Sequence, residues 1–218
     1  MRRLFVGRGV RFPTVEPVHV AVSALAALLP ITNPVGALAA FAGLTVGVDP
    51  AAMKRQAVRT GVYVLGILAV FALLGTLVLE GLGIGLPALQ IAGGLVVGHS
   101  GFGMIVARQT LTEDEKTHGV VKTDVSFSPM ALPLVAGPGA IGVVIALTAR
   151  HPGITNRLAV IVGAAVIAAL VAVLLRFGTP LVDKLGPTGL GALSRIIGFL
   201  TLAIGVELVT HGVLAAAK

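Results

Sequence analysis

Cysteine and tryptophan are absent from the 218 residues, and tyrosine occurs once. The missing thiols exclude disulfides, thiol redox chemistry and thiolate metal sites together. Charge is scarce as well: Asp, Glu, Lys and Arg make up 11% of the chain against 56% hydrophobic residues. With a mean hydropathy of +1.02, there is too little polar surface to cover a water-soluble globule. The sequence offers no Ser/His/Asp set, carboxylate pair or ligand-spaced His cluster. It therefore argues against an enzyme and implies no cofactor or metal.

What remains is apolar and long. Leu158 to Leu175 is an unbroken apolar stretch of 18 residues between Arg157 and Arg176, enough at about 1.5 Å per residue to cross a roughly 30 Å hydrocarbon core with help from its flanks. Further spans are expected at 18–47 and 129–149, both interrupted, and at 57–80, 88–107 and 193–215. These runs lack the alternation of barrel strands, so they are read as helices, and the chain as an all-α polytopic membrane protein. The net charge of +7 borders apolar spans, the signature of membrane topology rather than of a nucleic-acid partner. Arg2, Arg3, Arg8 and Arg11 resemble a signal-peptide n-region, but more membrane follows them, so no cleavage is expected.

Two helix breakers, Thr32-Asn33-Pro34-Val35-Gly36 and Ala136-Gly137-Pro138-Gly139-Ala140, interrupt apolar runs 104 residues apart. The same shift carries Gly94 onto Gly198 and Gly101 onto Gly205. The expectation is two three-helix inverted repeats, the first helix of each broken. Residues 1–17 form a basic extension, 18–107 the first repeat, 108–128 a polar loop and 129–215 the second repeat. Six crossings divide the basic residues nine against seven, with the loops after spans 1, 3 and 5 cytoplasmic. Re-entrant hairpins at the breakers would divide them thirteen against three, so both topologies stay open.

Proline disfavours helical dihedrals in the residue before it, so Asn33 and Gly137 should leave the helix and a new helix should begin at Pro34 and Pro138. Fresh N-termini expose amides and the positive end of the helix dipole. Thr32, Asn33, Pro34, Gly36, Gly137, Pro138 and Gly139 are accordingly the candidate substrate-binding residues. The competing reading is a pair of proline kinks serving packing alone. Arg195, Glu207 and His99 are candidate gating or coupling groups, each also explicable as an interface or packing residue. Gly94 and Gly98 form a GxxxG suited to close packing, inside the molecule or between subunits of a homo-oligomer. Gly137 to Gly142 matches G-x-G-x-x-G formally, but no strand precedes it and no acidic residue follows nearby, so it is not a dinucleotide site.

Leu29-Pro30-Ile31-Thr32-Asn33-Pro34-Val35-Gly36, Ala131 to Ala140, Leu193-Ser194-Arg195-Ile196-Ile197-Gly198 and Ala92-Gly93-Gly94-Leu95 resemble the signature segments of the MarC family of bacterial and archaeal inner-membrane proteins. The resemblance covers about residues 18–214. It implies six spans, a multi-pass inner-membrane location and, for some members, transport of small neutral amino acids such as glycine and alanine. The family often carries Gln where Glu207 stands. Two other functions remain open: a non-transporting scaffold or lipid-handling factor, and translocation of an anionic lipid carrier, which would require a lateral opening to lipid.

Overall fold

The computed structural model of the chain describes residues 15–106 and 124–217, so most of the basic extension and of the polar loop lie outside the described residues. Among the described residues all regular structure is helical. In order these are α1 (Val15–Thr32), α2 (Pro34–Leu44), α3 (Pro50–Gly81), α4 (Leu86–Val106), α5 (Ser126–Val135), α6 (Pro138–Arg150), α7 (Ile154–Phe177) and α8 (Thr179–Ala216). This is the expected all-α polytopic fold, except that α5 begins inside the stretch read as loop.

Prolines mark the starts. Pro34, Pro50 and Pro138 open their helices, where a missing N–H costs nothing. Asp49 caps α3 by accepting from the Ala51 and Ala52 amides at 3.0 Å each. In α5, Pro129 and Pro133 remove two donors, and the preceding Ser128 and Leu132 take extended dihedrals, both with φ −130°. The turn there is wide: the Met130 amide donates to the Val125 carbonyl at 3.1 Å and the Ala136 amide to the Ala131 carbonyl at 2.8 Å, each five residues back. Within α8, Gly186 adopts φ 59° and ψ −179°, a conformation only glycine takes easily, and the apolar stretch follows from Thr188.

Packing fixes the arrangement of the rods. Lipid tails are as apolar as leucine, so helices in a bilayer associate through close approach rather than hydrophobic transfer. A Cβ on Gly94 would lie 2.6 Å from the Gly205 carbonyl, and one on Gly101 2.7 Å from the Gly198 carbonyl. Helices α4 and α8 thus meet backbone to backbone, and the Gly94/Gly98 face is occupied by α8 of the same chain. Adding 104 to 94 and 101 gives 198 and 205, so each glycine meets the shifted counterpart of the other. Phe41, Leu28, Leu68 and Ile167 fill the core among α1, α2, α3 and α7, each fully buried.

Four helices are long and apolar enough to cross a bilayer singly, and two bent pairs make six if each pair is one span. The bends are 43° between α1 and α2 and 60° between α5 and α6, far from the reversal a hairpin needs. Directions follow from contacts. Gly61 lies against Ala168 and Ala172, whereas Arg157 reaches the Leu73 carbonyl at 2.9 Å and the Thr76 hydroxyl at 3.0 Å, so α3 and α7 are antiparallel. The start of α5 lies beside Arg59 near the start of α3, and α6 ends just before α7 begins beside the end of α3. The α5–α6 pair therefore runs from end to end of the bundle. Ala21 and Ala24 beside Gly163, with Leu38 beside Gly178, give α1–α2 the same end-to-end course.

This geometry makes a direct prediction in a chain that contains no cysteine. Single cysteines placed at Val46 and at Ile154 will label with an impermeant thiol reagent from opposite sides of the membrane; labelling from one side would mean that α5–α6 turns back.

Candidate functional site

Both breaks form where proline dictates, and they are built differently. At the first, Asn33 adopts the left-handed conformation (φ 40°, ψ 67°) that asparagine tolerates. Its side-chain oxygen accepts from the Gly36 amide at 3.0 Å, and its Nδ2 faces the Met104 sulfur at 4.0 Å. A Cβ on Gly36 would collide with Asn33 Nδ2, so glycine is what lets the cap fold over the helix. The carbonyl that Pro34 leaves without its intrahelical partner, Pro30 O, accepts from the Thr201 hydroxyl of α8 at 3.0 Å and from the Asn33 amide at 3.2 Å. Thr32, 1% exposed, donates to the Leu29 carbonyl at 3.3 Å. This break is closed by its own neighbours.

The second break is open. Ala136 (φ −93°, ψ 53°) and Gly137 (φ −74°, ψ 177°) leave the helix, and no side chain caps α6. A cleft of about 90 Å³ lies here, walled by Ile31 from α1, Val96, Val97 and Ser100 from α4, Pro133 to Val135 from α5, and Gly137 to Ala140. A water needs about 10–15 Å³ on this measure, so the space suits several waters or one small solute. Gly139 borders it closely: a Cβ would lie 2.7 Å from Val97 Cγ2 and 3.6 Å from Ile31 Cγ2. The second and third amides of α6, at Gly139 and Ala140, precede the first intrahelical bond, Ile141 N to Gly137 O at 3.1 Å.

Of the candidate binding residues, Gly137, Pro138 and Gly139 line this cleft, and Thr32, Asn33, Pro34 and Gly36 do not. The two breaks therefore do not share one chamber, although Ile31 brings the end of α1 to the start of α6. Arg195, Glu207 and His99 are exposed and none borders the cleft. Glu207 pairs instead with His211 one turn on, at 3.2 Å. Val97, Ser100, Met104 and Thr201 were not singled out by sequence reasoning; no local pattern distinguishes them, because their roles arise from contacts between distant helices.

Polar contacts gather at the two ends of the bundle. Where α3 begins, Arg59 and Asp124 pair at 2.8 Å, Gln56 accepts from the Val125 amide at 3.1 Å, and Thr60 donates to the Ser126 carbonyl at 3.2 Å. Partial burial pushes the Asp124 carboxyl up. Hydrogen bonds from the Ser126 hydroxyl and amide, then the Arg59 guanidinium, outweigh that and hold it below the ordinary 3.8. At the other end Arg157 binds α3, with its Nε buried and unpartnered. With the Gln90 amide oriented so that its oxygen faces Arg150, that oxygen accepts from two guanidinium nitrogens at 3.1 Å each.

Two helix breaks, a small cleft beside one of them and four apolar spans, or six if each bent pair is one span, define a multi-pass helical membrane protein built around interrupted helices. Residues 18–217 match the MarC family, described as MarC family integral membrane protein, and the chain belongs to that family. It is similar to the UPF0056 inner membrane protein MarC of Salmonella typhimurium (strain LT2), at 35% identity covering 89% of this chain and 94% of the relative. The protein of the same name from Escherichia coli (strain K12) is 34% identical over the same shares. No solved structure matches. The chain is thus a multi-pass inner-membrane protein.

Two measurements check this account. Asn33→Ala loses the cap and strains a left-handed backbone, costing about 2 kcal/mol of stability in detergent, while Asn33→Gly, which keeps the backbone, costs only about a few tenths. Asp124, held below its unfolded pKa, stabilises the fold above that value and loses this contribution as pH falls through the lower folded one. The melting temperature of Asp124→Asn should therefore lie below that of the unaltered chain at pH 7, and the gap should close in acid.

Proposed function

We propose that the chain is a secondary carrier or exporter of small neutral amino acids of the glycine and alanine type, with the substrate held at mid-depth beside the second helix break. The observation that carries this reading is the cleft at the start of α6, whose first amides no side chain caps. A zwitterion's carboxylate suits the Gly139 and Ala140 amides at the positive end of a helix dipole. Its ammonium suits the Ser100 hydroxyl and the carbonyls around Pro133. The apolar wall of Ile31, Val96, Val97 and Val135 leaves room for a methyl group and little more.

Alternating access in this reading comes from two inverted three-helix repeats rocking against each other. The reciprocal glycine contacts of α4 and α8, and the antiparallel pairing of α3 with α7, support that arrangement. With six crossings, the end carrying Lys54, Arg55 and Arg59 is the cytoplasmic one under the positive-inside rule.

A second reading has one specific observation in its favour. Val96 and Leu134, which border the cleft, are 41% and 40% exposed at mid-depth, so one side of the cleft faces lipid. An anionic lipid carrier would enter there, its phosphate on the same amides.

Proteoliposomes separate the readings. Counterflow of labelled glycine or alanine is expected, and Gly139→Val, which fills the cleft, should reduce it at least tenfold, or about 1.4 kcal/mol in rate terms. Absence of exchange across a broad amino-acid panel removes the first reading, and transbilayer movement of a phosphate-bearing isoprenoid would then select the second.

A further inference from the structure

We infer that α5 is the gate of the cleft and that Arg59 and Asp124 are the positioning residues that hold it shut. Three of the cleft's lining residues, Pro133, Leu134 and Val135, belong to α5. That segment is the least self-supporting helix described: two prolines lack donors, Ser128 and Leu132 leave helical dihedrals, and its bonds run five residues back. Its position must be set from outside.

The outside support is one face of α3. Four consecutive residues, the two before α5 and its first two, meet partners on α3 at spacing i, i+3, i+4, i+7. Val125 meets Gln56, Asp124 meets Arg59, Ser126 meets Thr60, and Phe127 stacks edge-to-face on Tyr63 with ring centroids 5.4 Å apart. At its other end α5 joins α6 through Ala136 and Gly137, both outside helical dihedrals. A segment pinned at its start and hinged at its end swings when the pin is drawn. The swing lifts Pro133 to Val135 from the cleft wall and opens the cleft toward the end where α3 begins.

Among the four contacts the ion pair is the releasable one. Its side chains are 58% and 39% exposed, so both charges find water when they part. Gln56, Thr60 and Ser126 are buried, and parting Gln56 from Val125 first would leave the Val125 amide dry. The pair therefore gives way first and the buried bonds follow once water enters. The gate joins α3 of one half to α5 of the other, and this inference rests on the carrier reading for its purpose though not for its geometry.

The test uses the cysteine-free chain in proteoliposomes. Val97→Cys places a single buried thiol in the cleft wall, and an impermeant maleimide is added from either side. Asp124→Arg or Arg59→Asp alone should raise labelling about threefold to fivefold from the side where α3 begins, and from that side only. The combined swap Arg59→Asp/Asp124→Arg should return the rate toward the starting value. Unchanged labelling in both single variants overturns the inference, as does a rise that the swap fails to reverse. Should a charge reversal prevent folding, Asp124→Asn serves, read by hydrogen exchange. Faster exchange of the Met130 and Ala136 amides with α4 and α8 unchanged supports the gate, and uniform acceleration overturns it. No substrate is needed for either readout. A transport assay that fails while labelling responds removes the carrier reading and leaves the gate; working transport with unresponsive labelling removes the gate alone.

Discussion

Hydrocarbon supplies no partner for a stray N–H or C=O, and every feature of this bundle answers to that constraint. A continuous helix meets it automatically. An interrupted helix does not, and the chain breaks twice within bent helix pairs. At the first interruption the freed groups are met by the Asn33 cap and by Thr201 from another helix. At the second they are left beside a cleft. The two proline breaks thus differ: one is closed by side chains and the other borders a cleft.

Close approach does the work that hydrophobic burial does in water. Glycines on α4 and α8 bring two backbones into contact across the junction of the chain's halves, while Leu77, Leu95 and Phe199, all more than half exposed, turn outward to lipid. Buried polar bonds are few and concentrated near the ends, where Gln56, Thr60 and Gln90 sit. In a bilayer each such bond is worth on the order of 1 kcal/mol, so they orient helices more than they bind them.

The breaks were legible because proline acts locally: Asn33 and Gly137 leave the helix for reasons contained within two residues. The family was legible for the same reason, through contiguous segments. Of the candidate binding residues only those of the second break line the cleft. Sequence reasoning placed Asn33 with Gly137 among the candidate binding residues, whereas the Asn33 side chain folds back on Gly36 and spends its oxygen on its own helix. Arg195, Glu207 and His99 drew notice as ionisable groups within apolar spans, but rotational position decides whether a helix residue meets the core or lipid, and all three face outward. Val97, Ser100 and Thr201 gain their places from contacts with residues up to 171 positions away, a distance no local pattern encodes. Topology was undecided by counting charges, and the antiparallel contact of α3 with α7 is what favours an end-to-end course over hairpins.

The seam between α4 and α8 has a mechanical consequence. With Gly94 against Gly205 and Gly101 against Gly198 at backbone contact, sliding one rod by a helical turn, about 5.4 Å, would drive side chains such as Leu202 into space that only a hydrogen atom occupies. Translation along the seam is therefore barred. At its midpoint Val97 lies against Gly139 and Thr201 holds the Pro30 carbonyl, so the seam sets the relative height of the two breaks.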